Sequence, residues 1–307
     1  MITTVLAYGV GAWLTIRANP EVKFWTEVIR LREERIEKLR AERPGTPIIL
    51  FTGGSSCAFS IDPAIIEEKT GIPAVNMGLP VACGGHYLVH QAMRETKRGD
   101  ILVVCLEPDL LTASGQLETA PTATGYLLAA ASGHLSEAAG GATFDLQPGL
   151  SDHLSFLRPG ASYSVVLAGK TMVGKGYRYG RKNIGFGGYL EFPASEGLLP
   201  AGRSRSRELT AEAREFLRTV EEVGSRRGVK TLYSMPWILT QPDGVEVSRS
   251  NKKALLESVA EVMPVLHEPE LGVHGEPQLF ADSPQHLNRK GATLKSSAVA
   301  CALKQEL

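Results

Sequence analysis

The order of patterns along this chain predicts an α/β protein whose parallel sheet is covered by helices on both sides. Residues 47–53 (PIILFTG) and 101–106 (ILVVCL) are short, continuous apolar runs bounded by Pro, Gly or Asp, the pattern of strands buried on both faces. Residues 72–77 (IPAVNM) and 229–235 (VKTLYSM) read as further strands. Amphipathic segments alternate with these runs, and strand–helix alternation is the mark of parallel crossover units. In such sheets the chemistry lies beyond the carboxyl ends of the strands.

Residues 2–16 (ITTVLAYGVGAWLTI) carry no charge and end at Arg17. As a helix they would span roughly 23 Å, against a hydrocarbon core of roughly 30 Å. Snorkelling by Arg17 or local thinning of the bilayer would close part of that gap. Neither a basic leader nor an A-x-A-like site accompanies the stretch, so a cleaved signal peptide is not expected. The expectation is a membrane tether over residues 1–18 on an outward-facing protein. The alternative is a helix packed on its own core in a cytoplasmic protein.

Asn19-Pro20 breaks that segment, and residues 19–45 read as a charged amphipathic helix. Phe24, Trp25, Val28, Ile29, Ile36 and Leu39 recur at helical spacing, with mixed-sign charges on the other faces. Residues 46–307 read as the main domain. Asp62-Pro63 supplies an N-cap and first-turn proline for a helix that Gly71 closes. Residues 86–97, 209–227 (with Thr210 as cap), 252–263 and 291 onward complete the helical set. Residues 110–205, rich in Gly, Ala, Ser, Thr and Pro, interrupt the rhythm and read as a long insertion or lid.

At 307 residues the chain can bury about three quarters of its unfolded surface without disulfides or metal. Lys+Arg and Asp+Glu both number 33, and a net charge of zero excludes the excess cation on which nucleic-acid binding rests. Cys57, Cys83, Cys105 and Cys301 are widely separated, which excludes a zinc ribbon or disulfide framework but leaves isolated bridges open.

Two distant stretches carry candidate chemistry. The first strand runs into Thr52-Gly53-Gly54-Ser55-Ser56, which projects a hydroxyl from the sheet end among glycines. Taken alone, it is also an ordinary Gly/Ser turn. The α/β-hydrolase elbow G-x-S-x-G is absent, because Cys57 stands at its last position. The second stretch is Asp282-Ser-Pro-Gln-His286-Leu-Asn288-Arg-Lys-Gly291. An Asp four residues before a His, in a loop entering a helix, lets the carboxylate hold Nδ1–H and leaves Nε2 to take a proton. The alternative is a helix-capping Asp beside an unrelated His.

With these residues in place the chain resembles the SGNH/GDSL hydrolase superfamily. Within it, the likeness is to the membrane-associated bacterial branch linked to polysaccharide O-acetylation. Gly53-Gly54-Ser55 is similar to the hallmark G-D-S, with Gly54 in the acidic position, and Phe59-Ser60-Ile61-Asp62 is similar to an F-G-I-D segment. Asp282 with His286-Leu287, then Asn288 and Gly291, is similar to the closing D-x-x-x-H-L block. The resemblance covers residues 47–110 and 205–307. It implies a three-layer α/β/α sandwich with a parallel flavodoxin-like sheet. Ser55 would be the nucleophile, His286 the base and Asp282 the orienting acid. Asn76-Met77-Gly78 is similar to the N-x-G of the second block, which makes the Gly78 amide an oxyanion donor, or an amide between it and Gly84. The third block departs from the family pattern: Leu106-Glu107-Pro108-Asp109 stands where G-x-N-D is usual. An ionised glutamate cannot donate to an oxyanion, and losing one such donor costs roughly 10²–10³ in turnover.

Other features compete. His86 and His90 have the spacing of two ligands on one helix face, yet neither an H-E-x-x-H glutamate nor a third ligand accompanies them, so no metal is expected. Cys57 and Cys83 read as small buried fillers. Ala168-Gly169-Lys170-Thr171 imitates the end of a phosphate loop but lacks its first glycine. Residues 170–189 interleave Lys and Arg with Tyr and Phe. They are open to two readings, a groove for sugars or anionic polymer and a solvated basic face. The sequence thus points to a serine esterase or O-acyltransferase acting on a small ester or acylated carbohydrate, without cofactor or metal. The alternative is an accessory protein that keeps the fold and binds glycan or a membrane partner without turnover.

Overall fold

Side chains of the central sheet alternate between two hydrophobic cores, which is why its strands are apolar throughout. The computed structural model describes residues 17, 19–113, 117, 123–133, 177–201 and 208–307. The apolar stretch 2–16, the phosphate-loop imitation at 168–171 and most of the insertion lie outside the described residues.

Strands β1 (Ile49–Gly53), β2 (Ala74–Asn76), β3 (Ile101–Cys105) and β4 (Lys230–Tyr233) form a four-stranded parallel sheet in the order β2-β1-β3-β4. The register pairs Phe51 with Asn76, Gly53 with Cys105 and Val104 with Tyr233. A parallel bridge from Tyr233 to Val265 continues the sheet beyond β4. Two further strands, β5 (Ile238–Leu239) and β6 (Val273–His274), pair in parallel apart from this sheet.

The helices are α1 (Pro20–Glu42), α2 (Ser55–Ser60), α3 (Pro63–Thr70), α4 (Gly85–Glu95), α5 (Pro108–Thr112), α6 (Ala123–Ser132), α7 (Ala211–Arg227), α8 (Val245–Ala260) and α9 (Arg289–Glu306). Leu50, Val75, Leu102, Val104 and Tyr233 face a core shared with Val28 and Ile29 of α1, Leu88 of α4, Phe216 of α7 and Leu255 of α8. Ile49, Phe51, Ala74, Ile101, Val103 and Leu232 face the other core, with Ile66 of α3 and Val299 and Leu303 of α9. The chain is therefore an α/β protein with a parallel sheet between two helical faces. The charged helix α1 is packed into the first core rather than standing apart from the domain.

Local signals set the helix starts. Asn19 Oδ1 accepts the Glu21 and Val22 N–H groups, Asp62 accepts Ala64 N–H, Thr210 accepts Ala213 N–H and Asn288 accepts Gly291 N–H. Helix α8 begins at Val245, well before the expected Lys252. Ser248, Asn251 and Lys252 are buried, so packing of that face overrides the weak helical propensity of Val-Glu-Val-Ser.

A buried ion pair ties α9 to Glu268, in the segment after α8, and further hydrogen bonds tie it to the loop after β4. Lys295 Nζ donates to both Glu268 oxygens at 2.6 Å, to Ser234 Oγ at 3.0 Å and to Met235 O at 2.7 Å. Both side chains are at most 3% exposed. Lys295→Met would leave the Glu268 charge buried without its cation. The expected loss is about 3–5 kcal/mol of stability, read by chemical denaturation.

Candidate active site

The sheet order places a switch point at the carboxyl ends of β1 and β3, where the crossovers leave toward opposite faces. Ser55 sits there, one residue beyond Gly54 at the first position of α2. The turn is held from several sides. Thr52 Oγ1 donates to Leu88 O, and Leu79 N–H donates to Gly53 O at 3.0 Å. Asn76, closing β2, donates from Nδ2 to Cys57 O at 2.9 Å and Ile61 O at 2.8 Å, which fixes α2 against the sheet.

The loop before α9 delivers the other two groups. Ala281 N–H donates to His286 O at 2.7 Å, and Phe280 pairs with Leu287, closing a tight excursion that carries Asp282 and His286. Asn288 steadies its exit by donating to Gln278 O at 2.8 Å and Phe280 O at 3.1 Å. Gly291 lies where a Cβ would come within 2.2 Å of Leu279 O, so the helix and the loop approach each other only because that position is glycine.

Three sequence-predicted residues meet. His286 Nε2 lies 2.9 Å from Ser55 Oγ, and His286 Nδ1 lies 2.8 Å from Asp282 Oδ1. Burial alone would raise the Asp282 carboxyl. Hydrogen bonds from His286, Tyr179 and Arg178 outweigh it and hold the group well below the usual carboxylate range. An ionised carboxylate only accepts, so Nδ1 carries the ring proton and Nε2 is the acceptor for the Ser55 hydroxyl. Phe59 stacks on the imidazole, with centroids 4.3 Å apart at 14°.

Gly78 is not brought into this role. Its N–H is committed to Asn76 Oδ1 at 2.9 Å and its carbonyl accepts from the buried Arg32 at 2.6 Å, so the expected oxyanion donation is corrected. The Gly84 N–H is likewise engaged, with Val81 O. The Ser55 N–H has no acceptor among the described residues, which leaves it free to receive an oxyanion.

Glu107 points under the nucleophile turn. Oε2 accepts Gly54 N–H at 3.1 Å, and Oε1 accepts Ser56 N–H at 3.1 Å and Ser56 Oγ–H at 2.7 Å. Burial pushes its carboxyl up, and those hydrogen bonds oppose the rise.

Two residues of the insertion contribute that the motifs did not reveal. Tyr179 Oη and Arg178 Nη1 each donate to Asp282 Oδ2 at 2.7 Å. Tyr177 and Tyr179 are turned into an aromatic cluster with Phe24, Trp25, Phe59 and Phe192 behind the histidine, and Trp25 Nε1 donates to Tyr177 Oη at 2.7 Å. Tyr179 thereby packs on Phe59 and holds Asp282, while Tyr177 packs on Phe24 and Trp25. Residues 170–176 of the same stretch lie outside the described residues.

The competing features fall elsewhere. Burial lowers His86 to about 4, and its ring packs on Phe216 at 4.6 Å. The His86 and His90 rings are 6.3 Å apart, and among the described residues no group of three or more His, Cys, Asp or Glu is placed to hold a metal ion. Burial pushes the Cys57 and Cys83 thiols up, so both are protonated fillers at neutral pH. Among the described residues no helix is long and apolar enough to cross a membrane. No protein-family model matches the chain, and no curated protein matches it either.

Proposed function

We propose that the protein is a serine esterase or O-acyltransferase of SGNH/GDSL type that works through Ser55, His286 and Asp282. The single observation that carries this is the unbroken hydrogen-bond chain from Ser55 Oγ through the imidazole to a buried carboxylate. The strand order, the position of Ser55 after β1 and the closing Asp282–Leu287 block support the same family resemblance.

In the proposed cycle Ser55 Oγ attacks an ester carbonyl carbon as His286 Nε2 takes its proton, and the new Oγ–C bond places negative charge on the former carbonyl oxygen. The Ser55 N–H meets that charge. Collapse breaks the bond to the alcohol, which leaves with the proton from Nε2, and an acyl-Ser55 remains. Water or a sugar hydroxyl then gives its proton to Nε2 and attacks the acyl carbon; collapse breaks the bond to Ser55 Oγ, which takes the proton back from Nε2 as the acid or the new ester leaves. Asp282 stabilises the imidazolium in both halves. The substrate class is a small ester or an acylated carbohydrate, and a membrane tether in residues 2–16 belongs to the same proposal.

The test is pre-steady-state hydrolysis of p-nitrophenyl acetate. A burst of nitrophenolate close to one equivalent per enzyme, followed by slower turnover, is expected of an acyl-enzyme. No release above the buffer rate would leave an accessory protein that binds without turnover.

A further inference from the structure

We infer that Glu107 is a positioning residue, whose carboxylate grips the backbone on both sides of Ser55 and so aims the nucleophile. This role rests on the esterase proposal above. Glu107 follows β3 and crosses to the end of the neighbouring strand. There it takes the N–H of Gly54, the N–H of Ser56 and the Ser56 hydroxyl. Glu107 is 1% exposed, so water does not compete for these donors. The residue between the two gripped positions is Ser55, which is left with its Oγ on His286 and its N–H free.

Gly54 belongs to the same device. Its φ is −76°, open to any residue, so backbone conformation does not demand glycine there. Space does: a Cβ at position 54 would lie 2.1 Å from Glu107 Oε1 and 2.4 Å from Oε2. Glycine makes the room and the glutamate fills it with acceptors. Without the carboxylate, two buried amides and a hydroxyl lose their acceptor and the turn must shift to find others. A shift of about 1 Å at a reacting atom costs roughly 10²-fold in rate.

The experiment measures labelling by a fluorophosphonate probe, as a maximal rate and a half-saturating concentration, with the thermal unfolding midpoint recorded for each protein. The variants are Glu107→Gln, Glu107→Ala, Gly54→Ala and the double Gly54→Ala/Glu107→Ala. Glutamine keeps the shape but sets an NH2 against backbone donors. Glu107→Gln is expected to label roughly 10²-fold slower in maximal rate at an unchanged half-saturating concentration. Gly54→Ala, which expels the carboxylate, is expected to lose a similar factor, and the double variant to label no slower than Glu107→Ala alone. Folded Glu107→Gln labelling within about twofold of wild type, or losses that multiply in the double variant, would overturn the role. Should Glu107→Gln not fold, the comparison of Gly54→Ala, Glu107→Ala and the double variant decides. A wild type that does not label overturns the esterase proposal and this role with it. Wild type and variants labelling at one rate overturn this role alone.

Discussion

Ser55→Ala is expected to lower ester hydrolysis by about 10⁴-fold or more, to a residue of rate that owes nothing to covalent catalysis. Among the described residues Ser55 Oγ has one hydrogen-bond partner, His286 Nε2, and it lies at the first position of α2, where alanine is well tolerated. The substitution therefore removes the attacking atom and little else, and the unfolding midpoint should stay within the small range of a surface change. Initial rates on p-nitrophenyl acetate, corrected for the buffer reaction, check the first statement and a thermal melt checks the second. A variant that hydrolyses at the wild-type rate would remove Ser55 from the mechanism.

Asp282→Asn is expected to cost about 10⁴-fold in kcat with the fold intact, for a reason of proton placement. Asp282 Oδ1 accepts from Nδ1, which keeps Nε2 unprotonated toward Ser55. An asparagine amide at that place donates to Nδ1 instead. The ring proton then moves to Nε2, which can no longer take one from the hydroxyl. The same variant has a signature in stability against pH. The folded Asp282 carboxyl is held below its unfolded value, so its contribution is complete above pH ~4 and is lost as pH falls from there toward the lowered folded value. Between pH 6 and pH 3 the unfolding midpoint of wild type should fall further than that of Asp282→Asn. Equal slopes would mean that the carboxyl is not held ionised by His286, Tyr179 and Arg178.

The elements whose signals are local were readable from the sequence. The runs at 47–53 and 101–106 are strands because both faces meet apolar cores, and a continuous apolar run records that directly. Asp62 and Thr210 cap helices because short polar side chains reach nearby amides. Asp282 and His286 were legible as a pair because four residues of one loop set their distance. Ser55 was legible by its place after a strand, although the start of α2 was hidden in a Gly/Ser run that reads as a turn.

What stayed hidden depends on parts of the chain far apart in sequence. Glu107 read as the loss of an oxyanion donor. It serves as an acceptor because Gly54, on the adjacent strand's exit, leaves room for it. Gly78 read as a donor from its motif, but whether an amide is free depends on its neighbours, and Asn76 takes this one. Arg178 and Tyr179 sit in a segment whose basic and aromatic composition reads either as a groove for sugars or as a solvated basic face, and nothing local records that they end on Asp282.

Mass-spectrometric mapping of a fluorophosphonate adduct on the full chain locates the nucleophile. One phosphonyl group is expected, carried by the peptide that contains Ser55, with no labelling of Ser55→Ala. An adduct on another residue, or wild-type protein that stays unlabelled at saturating probe, would contradict Ser55 as that nucleophile.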